Sequence, residues 1–299
     1  MSREQAPLRG GPGLLGAIGR GTIGGVAYLG GLAILACSAA WAGLRPPRGG
    51  PRLGPAVARQ GGWLLGMGLP LVGLVHVGLG SFLAMQAYFG ATFVAAAGPL
   101  VGIGLVRNIA PLVAGLILAG LLAARLTPEL RGRSRVGLDG DPRWIPDREV
   151  VLGLRPDPRP PTPAPRLALA RLAAAAAAGP VLGLWGAAVG TAIGWLVARI
   201  MLGISAPVFF GSILERLWIR DVVGLVAKGT AFGAAAALFA CFEGLRRPDA
   251  TDPDAVAVAS CRAACLAAAT ILVINGFWFK IAYLSGAPFG PTVLTPPFP

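Results

Sequence analysis

Inside an apolar protein, acid–base or metal chemistry needs His, Asp, Glu or Cys in convergent groups. His76 is the single histidine of the chain. It sits in Leu74–Val75–His76–Val77–Gly78, where a lone imidazole reads as a side chain hydrogen-bonded to a neighbouring helix. Cys37, Cys241, Cys261 and Cys265 lie in or beside apolar segments with no Cys-x-x-Cys spacing, so they read as small packing residues. No Gly-x-x-x-x-Gly-Lys-[Ser/Thr] loop occurs, because Lys228–Gly229–Thr230 lacks the preceding glycine spacing. The chain has no P-loop of its own, and if ATP drives it, a separate subunit binds the nucleotide. No cofactor is expected.

The polar residues left in apolar surroundings are Gln86, Arg107, Asn108, Lys228 and Asn275. Polar groups at membrane depth are rare and face a cavity or a partner. Lys228 and Asn275 read as structural hydrogen-bonding groups, and Arg107–Asn108 as a functional pair. Positions 82, 85, 86 and 89 share a helical face by their three- and four-residue spacing. Phe82, Met85, Gln86 and Tyr88, with Arg107 and Asn108, therefore form a candidate lipid-binding site. A guanidinium in an apolar setting needs an acceptor, and a phosphate headgroup is one; snorkelling to the outer interface is the alternative.

The elements that carry these residues are membrane spans. Residues are 55% hydrophobic and 13% charged, and mean hydropathy is +0.69, whereas soluble domains carry about 25% charge. The stretches 61–106, 108–124, 172–198 and 263–279 contain no Lys, Arg, Asp or Glu, and a span needs about 20 apolar residues. The expected fold is an all-α integral membrane protein with about five transmembrane helices, an N-terminal interfacial helix and a cytoplasmic coupling helix. The spans fall near 61–88, 92–125, 172–198, 222–244 and 259–284, with a break near Gly98–Pro99 or Arg107–Pro111. The segment 125–171 holds ten arginines, six acids and nine prolines and reads as a large cytoplasmic loop. Residues 1–60 form a cytoplasmic or interfacial segment in which 12–44 could span but are read as lying in the cytoplasmic leaflet. Residues 285–299 form an external tail, and no removable signal peptide is seen.

On this topology 19 basic residues lie inside and five outside, which the positive-inside rule favours. The net charge of +13 thus marks topology, and no nucleic-acid partner is expected. Gly186, Gly190 and Gly194 form one small-residue face and Gly229 with Gly233 another. Packing within the chain is the favoured reading over a dimer seam.

In order and spacing, several motifs between residues 56 and 284 resemble the MlaE/YrbE permeases of MCE (mammalian cell entry) ABC lipid-transport systems. Phe82–Leu83–Ala84–Met85–Gln86–Ala87–Tyr88 is similar to the family's G-x-x-L-Q-G-Y. Leu105–Val106–Arg107–Asn108–Ile109–Ala110–Pro111 is similar to L-x-R-E-x-[GA]-P. Thr127–Pro128–Glu129–Leu130, then Asp157–Pro158 and Pro165–Arg166, follow the family's motifs around its cytoplasmic coupling region. Lys228, Glu243–Gly244 and Arg262 fall at family positions too. The chain departs from the pattern at Asn108 (Glu in the family), at Arg131–Gly132–Arg133 and in a coupling loop about eight residues longer. Asp147 to Leu152 only loosely matches E-Q-I-D-A-L.

The resemblance implies a multi-pass protein of the bacterial inner (plasma) membrane that moves phospholipid or another lipid. It implies an ABC ATPase subunit, a periplasmic MCE-domain protein and a second permease copy or paralogue as partners, in a homo- or heterodimer. ATPase coupling residues by resemblance are Glu129, Glu149, Leu152, Asp157 and Arg166, with residues 145–157 as the docking element. An importer permease for small solutes and an intramembrane lipid-modifying enzyme remain the alternatives.

Overall fold

A computed structural model describes residues 14–44, 53–90, 97–136, 164–246 and 252–283. Among these the chain is helical, with no strand. The helices are α1 (Leu14–Leu44), α2 (Leu53–Gly90), α3 (Ala97–Gly104), a π-helical turn (Leu105–Ile109), α4 (Ala110–Val136), α5 (Ala164–Leu202), α6 (Ala206–Leu214), α7 (Ile219–Arg246) and α8 (Pro253–Tyr283). By length and composition six segments could cross a membrane: Gly19–Leu44, Leu53–Phe89, Ala97–Arg131, Pro165–Leu202, Ile219–Arg246 and Pro253–Tyr283. The protein is an all-α integral membrane protein.

Two expectations are refined. Helix α4 runs on to Val136 and α5 begins at Ala164, so both ends of the stretch read as loop are helical; the arginines there ride on helix that extends beyond the apolar stretch. The break expected near Gly98–Pro99 or Arg107–Pro111 takes the form of a π turn at Leu105–Ile109, which interrupts the α-helix yet keeps α3 and α4 in one span. Prolines 70, 128 and 180 stand inside helices, as helices packed in a membrane bundle tolerate. Trp185 of α5 lies over Gly73 and donates its indole N–H to the Leu69 carbonyl of α2 at 2.9 Å.

Glycine sets how the bundle closes. A Cβ on Gly80 would strike the Gly190 carbonyl, one on Gly179 the Gly229 carbonyl, and one on Gly233 the Ala175 carbonyl. Gly186 and Gly194 receive the His76 ring and Val101 in the same way. Both glycine faces are thus used within the chain, joining α2, α5 and α7 backbone to backbone. His76 is fully buried and bonds the Val72 carbonyl through Nδ1 at 2.7 Å. The cysteines are free: Cys241 is buried, whereas Cys37, Cys261 and Cys265 are exposed.

The contacts of α1 fix its direction. Tyr28 packs against Phe239, Phe242 and Arg246, Gly31 against Phe242, and Gly43 against Leu169. In the antiparallel α5/α7 pair, Ala175 meets Gly233 and Gly179 meets Gly229, so Leu169 stands level with Phe239. From Tyr28 to Gly43 α1 advances about 22 Å at 1.5 Å per residue, yet its partners stay at one level of the bundle. Helix α1 therefore lies across the arginine-rich end of the bundle, not alongside the other helices, and its outer face carries Ile23, Val26, Leu29 and Ile34, all exposed.

Candidate functional site

The π turn is the centre of a polar cluster, and its sequence explains why. Pro111 has no N–H, so the Arg107 carbonyl four residues earlier has no helical donor. Lys228, buried on α7, donates its ammonium to that carbonyl. The turn closes instead through the Ala110 N–H to the Leu105 carbonyl, the wider ring of a π segment, a feature common at functional sites.

The side chains of the turn are held as firmly. Arg107 pairs in fork geometry with Asp221 at the start of α7, Nε to Oδ1 at 3.1 Å and Nη2 to Oδ2 at 2.9 Å. The Asp221 side chain is fully buried, and about a quarter of the Arg107 side chain remains exposed. Asp221 also accepts the Tyr283 hydroxyl at 2.5 Å and the Trp218 backbone N–H at 3.2 Å. The rings of Trp218 and Tyr283 stand 4.9 and 4.8 Å from the Arg107 guanidinium, a cation–π arrangement that shields the pair. Asn275 of α8 donates to the Asn108 side-chain oxygen at 2.8 Å. Its own Oδ1 is buried with no hydrogen-bond partner among the described residues.

Beside this cluster an open groove of about 770 Å3 runs along the outer half of α8, lined by Asn108, Asn275, Phe277, Phe279, Lys280 and Ile281. It is apolar with three polar points. Arg107 thus finds an acceptor in Asp221 of the same chain, with about a quarter of its side chain left exposed. Phe82, Met85, Gln86 and Tyr88 lie on the open side of α2, where Phe82 is 56% exposed, while Ala84 and Ala87 face inward. The named contacts of Arg107 and Asn108 come from α7, α8 and the turn before α7, so the α2 stripe and the Arg107 pair are held by different neighbours.

At the opposite end, Glu129 pairs with Arg171 at 2.9 Å and with Arg125 at 3.9 Å, and Arg125 stacks 3.9 Å over Trp63. Arg166 is buried. Glu149, Leu152 and Asp157 lie outside the described residues. Sequence reasoning passed over Asp221, Trp218 and Tyr283. The signal available was that Arg107 demanded a carboxylate, and Asp221 stands in the first turn of a span.

The family model described as Permease MlaE matches residues 161–281. These matches support an MlaE-type permease. The MlaE match runs over α5, α6, α7 and nearly all of α8, and takes in Asp221, Lys228 and Asn275 but not the π turn they hold. A probable ABC transporter permease protein of Rickettsia typhi is 26% identical over 179 residues, which are 59% of this chain and 64% of the relative. One of Rickettsia prowazekii is 27% identical over the same extent. The chain thus covers 64% of the length of these curated relatives.

Proposed function

We propose that this chain is the permease subunit of an ABC transporter that moves phospholipid or another lipid between the bacterial inner membrane and a periplasmic MCE assembly. The observation that carries the reading is the MlaE match over α5 to α8, the helices that grip the π turn. The curated relatives are named probable ABC transporter permeases. A second permease copy or paralogue, an ABC ATPase that holds the ATP, and an MCE-domain protein complete the assembly in this reading. Glu129, Glu149, Leu152, Asp157 and Arg166 serve ATPase coupling in this reading.

The lipid surface is assigned to the exposed stripe Phe82, Met85, Gln86 and Tyr88 together with the groove that Asn108 lines. Its walls are aromatic and aliphatic, as acyl chains require, since hiding each methylene from water is worth about 0.8 kcal/mol. Asn108, Asn275 and Lys280 give the groove its polar points for a headgroup. Arg107, neutralised by Asp221, shapes the site. An importer for small polar solutes would need a more polar lining than this groove has.

The test is mass spectrometry of lipids and subunits retained when the tagged protein is purified from its native membrane. Lipid should be retained well above the level of an unrelated membrane protein, and Met85→Trp should lower it without loss of the ATPase. Purification without lipid enrichment, in wild type and variant alike, would overturn the lipid reading.

A further inference from the structure

At the arginine-rich end of the bundle a second cavity, of about 120 Å3, is lined by Arg131, Glu243, Arg246, Val258, Ala259 and Arg262 among others. The Glu243 side chain is 2% exposed, and its Oε1 stands 3.9 Å from an Arg246 nitrogen and 3.8 Å from an Arg262 nitrogen. Those are ion-pair distances beyond hydrogen-bonding reach, and Oε1 has no hydrogen-bond partner among the described residues. Arg131 is committed elsewhere: it donates to the Glu243 carbonyl at 3.4 Å and the Ala255 carbonyl at 3.1 Å, tying α4 to α7 and α8. Arg246 and Arg262 are 35% and 47% exposed along their side chains. Two guanidiniums from adjacent helices are therefore drawn to one cavity by a buried carboxylate that neutralises only part of their charge.

We propose that this cavity binds the phosphodiester headgroup of a lipid of the adjoining leaflet, with Arg246 and Arg262 as its ligands and Glu243 as the residue that positions them. The chemistry is that of guanidinium forks on phosphate oxygens. One net positive charge would remain after a monoanionic phosphodiester entered, counting the three arginines against Glu243 and the lipid. A lipid is favoured over a free anion by the walls. Val258, at 56% exposure, and Ala259 line one side, and Tyr28 of α1 lies 5.1 Å from the Arg246 guanidinium. The cavity opens at the arginine-rich end beside the exposed flank of α8, along which acyl chains can run. The site is separate from the groove at the Arg107 end and stands or falls independently of the transport reading.

The experiment is native mass spectrometry of the full chain in detergent, titrated with dioleoyl phosphatidylglycerol at fixed collision energy. Wild type and Arg199→Gln, an exposed arginine remote from the cavity, should retain one lipid alike. Arg246→Gln/Arg262→Gln should retain it at least tenfold less. Arg262→Lys keeps a positive charge beside Glu243, so folding is preserved, and should bind several-fold more weakly because an ammonium cannot offer a fork. Equal retention in the double variant, checked for native helical content, or in Arg262→Lys should the double variant lose that content, overturns the site. Displacement of the lipid by an equal concentration of inorganic phosphate would reassign it to a free anion and overturn the lipid proposal.

Discussion

Removing the charge of Asp221 while keeping its shape isolates the buried pair that holds the π turn. In Asp221→Asn the amide keeps one acceptor oxygen but turns an NH2 to Arg107 in place of the other, so both charge-assisted bonds, at 3.1 and 2.9 Å, lose their anionic acceptor; each is worth about 1.5–3 kcal/mol. Solvent reaches about a quarter of the Arg107 side chain, which places the effect at the lower end, about 3 kcal/mol. Most of that loss is the penalty of leaving a guanidinium unpaired. Arg107→Met should have a similar effect by leaving Asp221 buried and bare. The double variant leaves no buried ion behind, so it should be scarcely worse than either single change, a coupling of about 2–3 kcal/mol. The assay is equilibrium unfolding in mixed micelles by titration with a denaturing detergent, followed by helical ellipticity. Effects that add to within about 0.5 kcal/mol, as unconnected sites do, would refute the pairing.

Lys228→Met should destabilise by about 1–3 kcal/mol, since it orphans the Arg107 carbonyl. In a Pro111→Ala background, which restores an N–H, the same change should be markedly milder in the same unfolding assay; an undiminished effect would detach Lys228 from the carbonyl that Pro111 frees. Gly179→Val drives side-chain atoms into the Gly229 backbone and should abolish folded yield on size-exclusion chromatography. Gly66→Ala has open space around its Cβ and should leave yield unchanged.

The charge-free stretches announced the spans because lipid tolerates so few ionisable groups, and α2, α4, α5 and α8 lie where those stretches predicted, while α7 carries Lys228 within its apolar run. Helix ends were less legible. Hydropathy reports where lipid stops, whereas α4 and α5 continue as helix through Arg131 and Arg166. Lys228 and Asn275 were readable as structural because an isolated polar group in an apolar helix must find a partner. Which partner each finds was not readable: Arg107 and Asp221 are 114 residues apart, and only packing brings them together. Asp221 looked like one more charge at the edge of a span. The proline at 111 was the missed clue, since a missing N–H names the orphaned carbonyl directly.

The glycine-to-carbonyl contacts that join α2, α5 and α7 also have a mechanical consequence. Where backbone touches backbone there is no side chain to rotate or compress, so these three helices form a stiff plate. Any opening and closing must then be carried by the parts with softer joints, namely α3 on its π turn and α8 on its polar tethers. Spin-label distances between α5 and α7 should accordingly stay constant when the protein changes conformation, while those from α8 to α5 change.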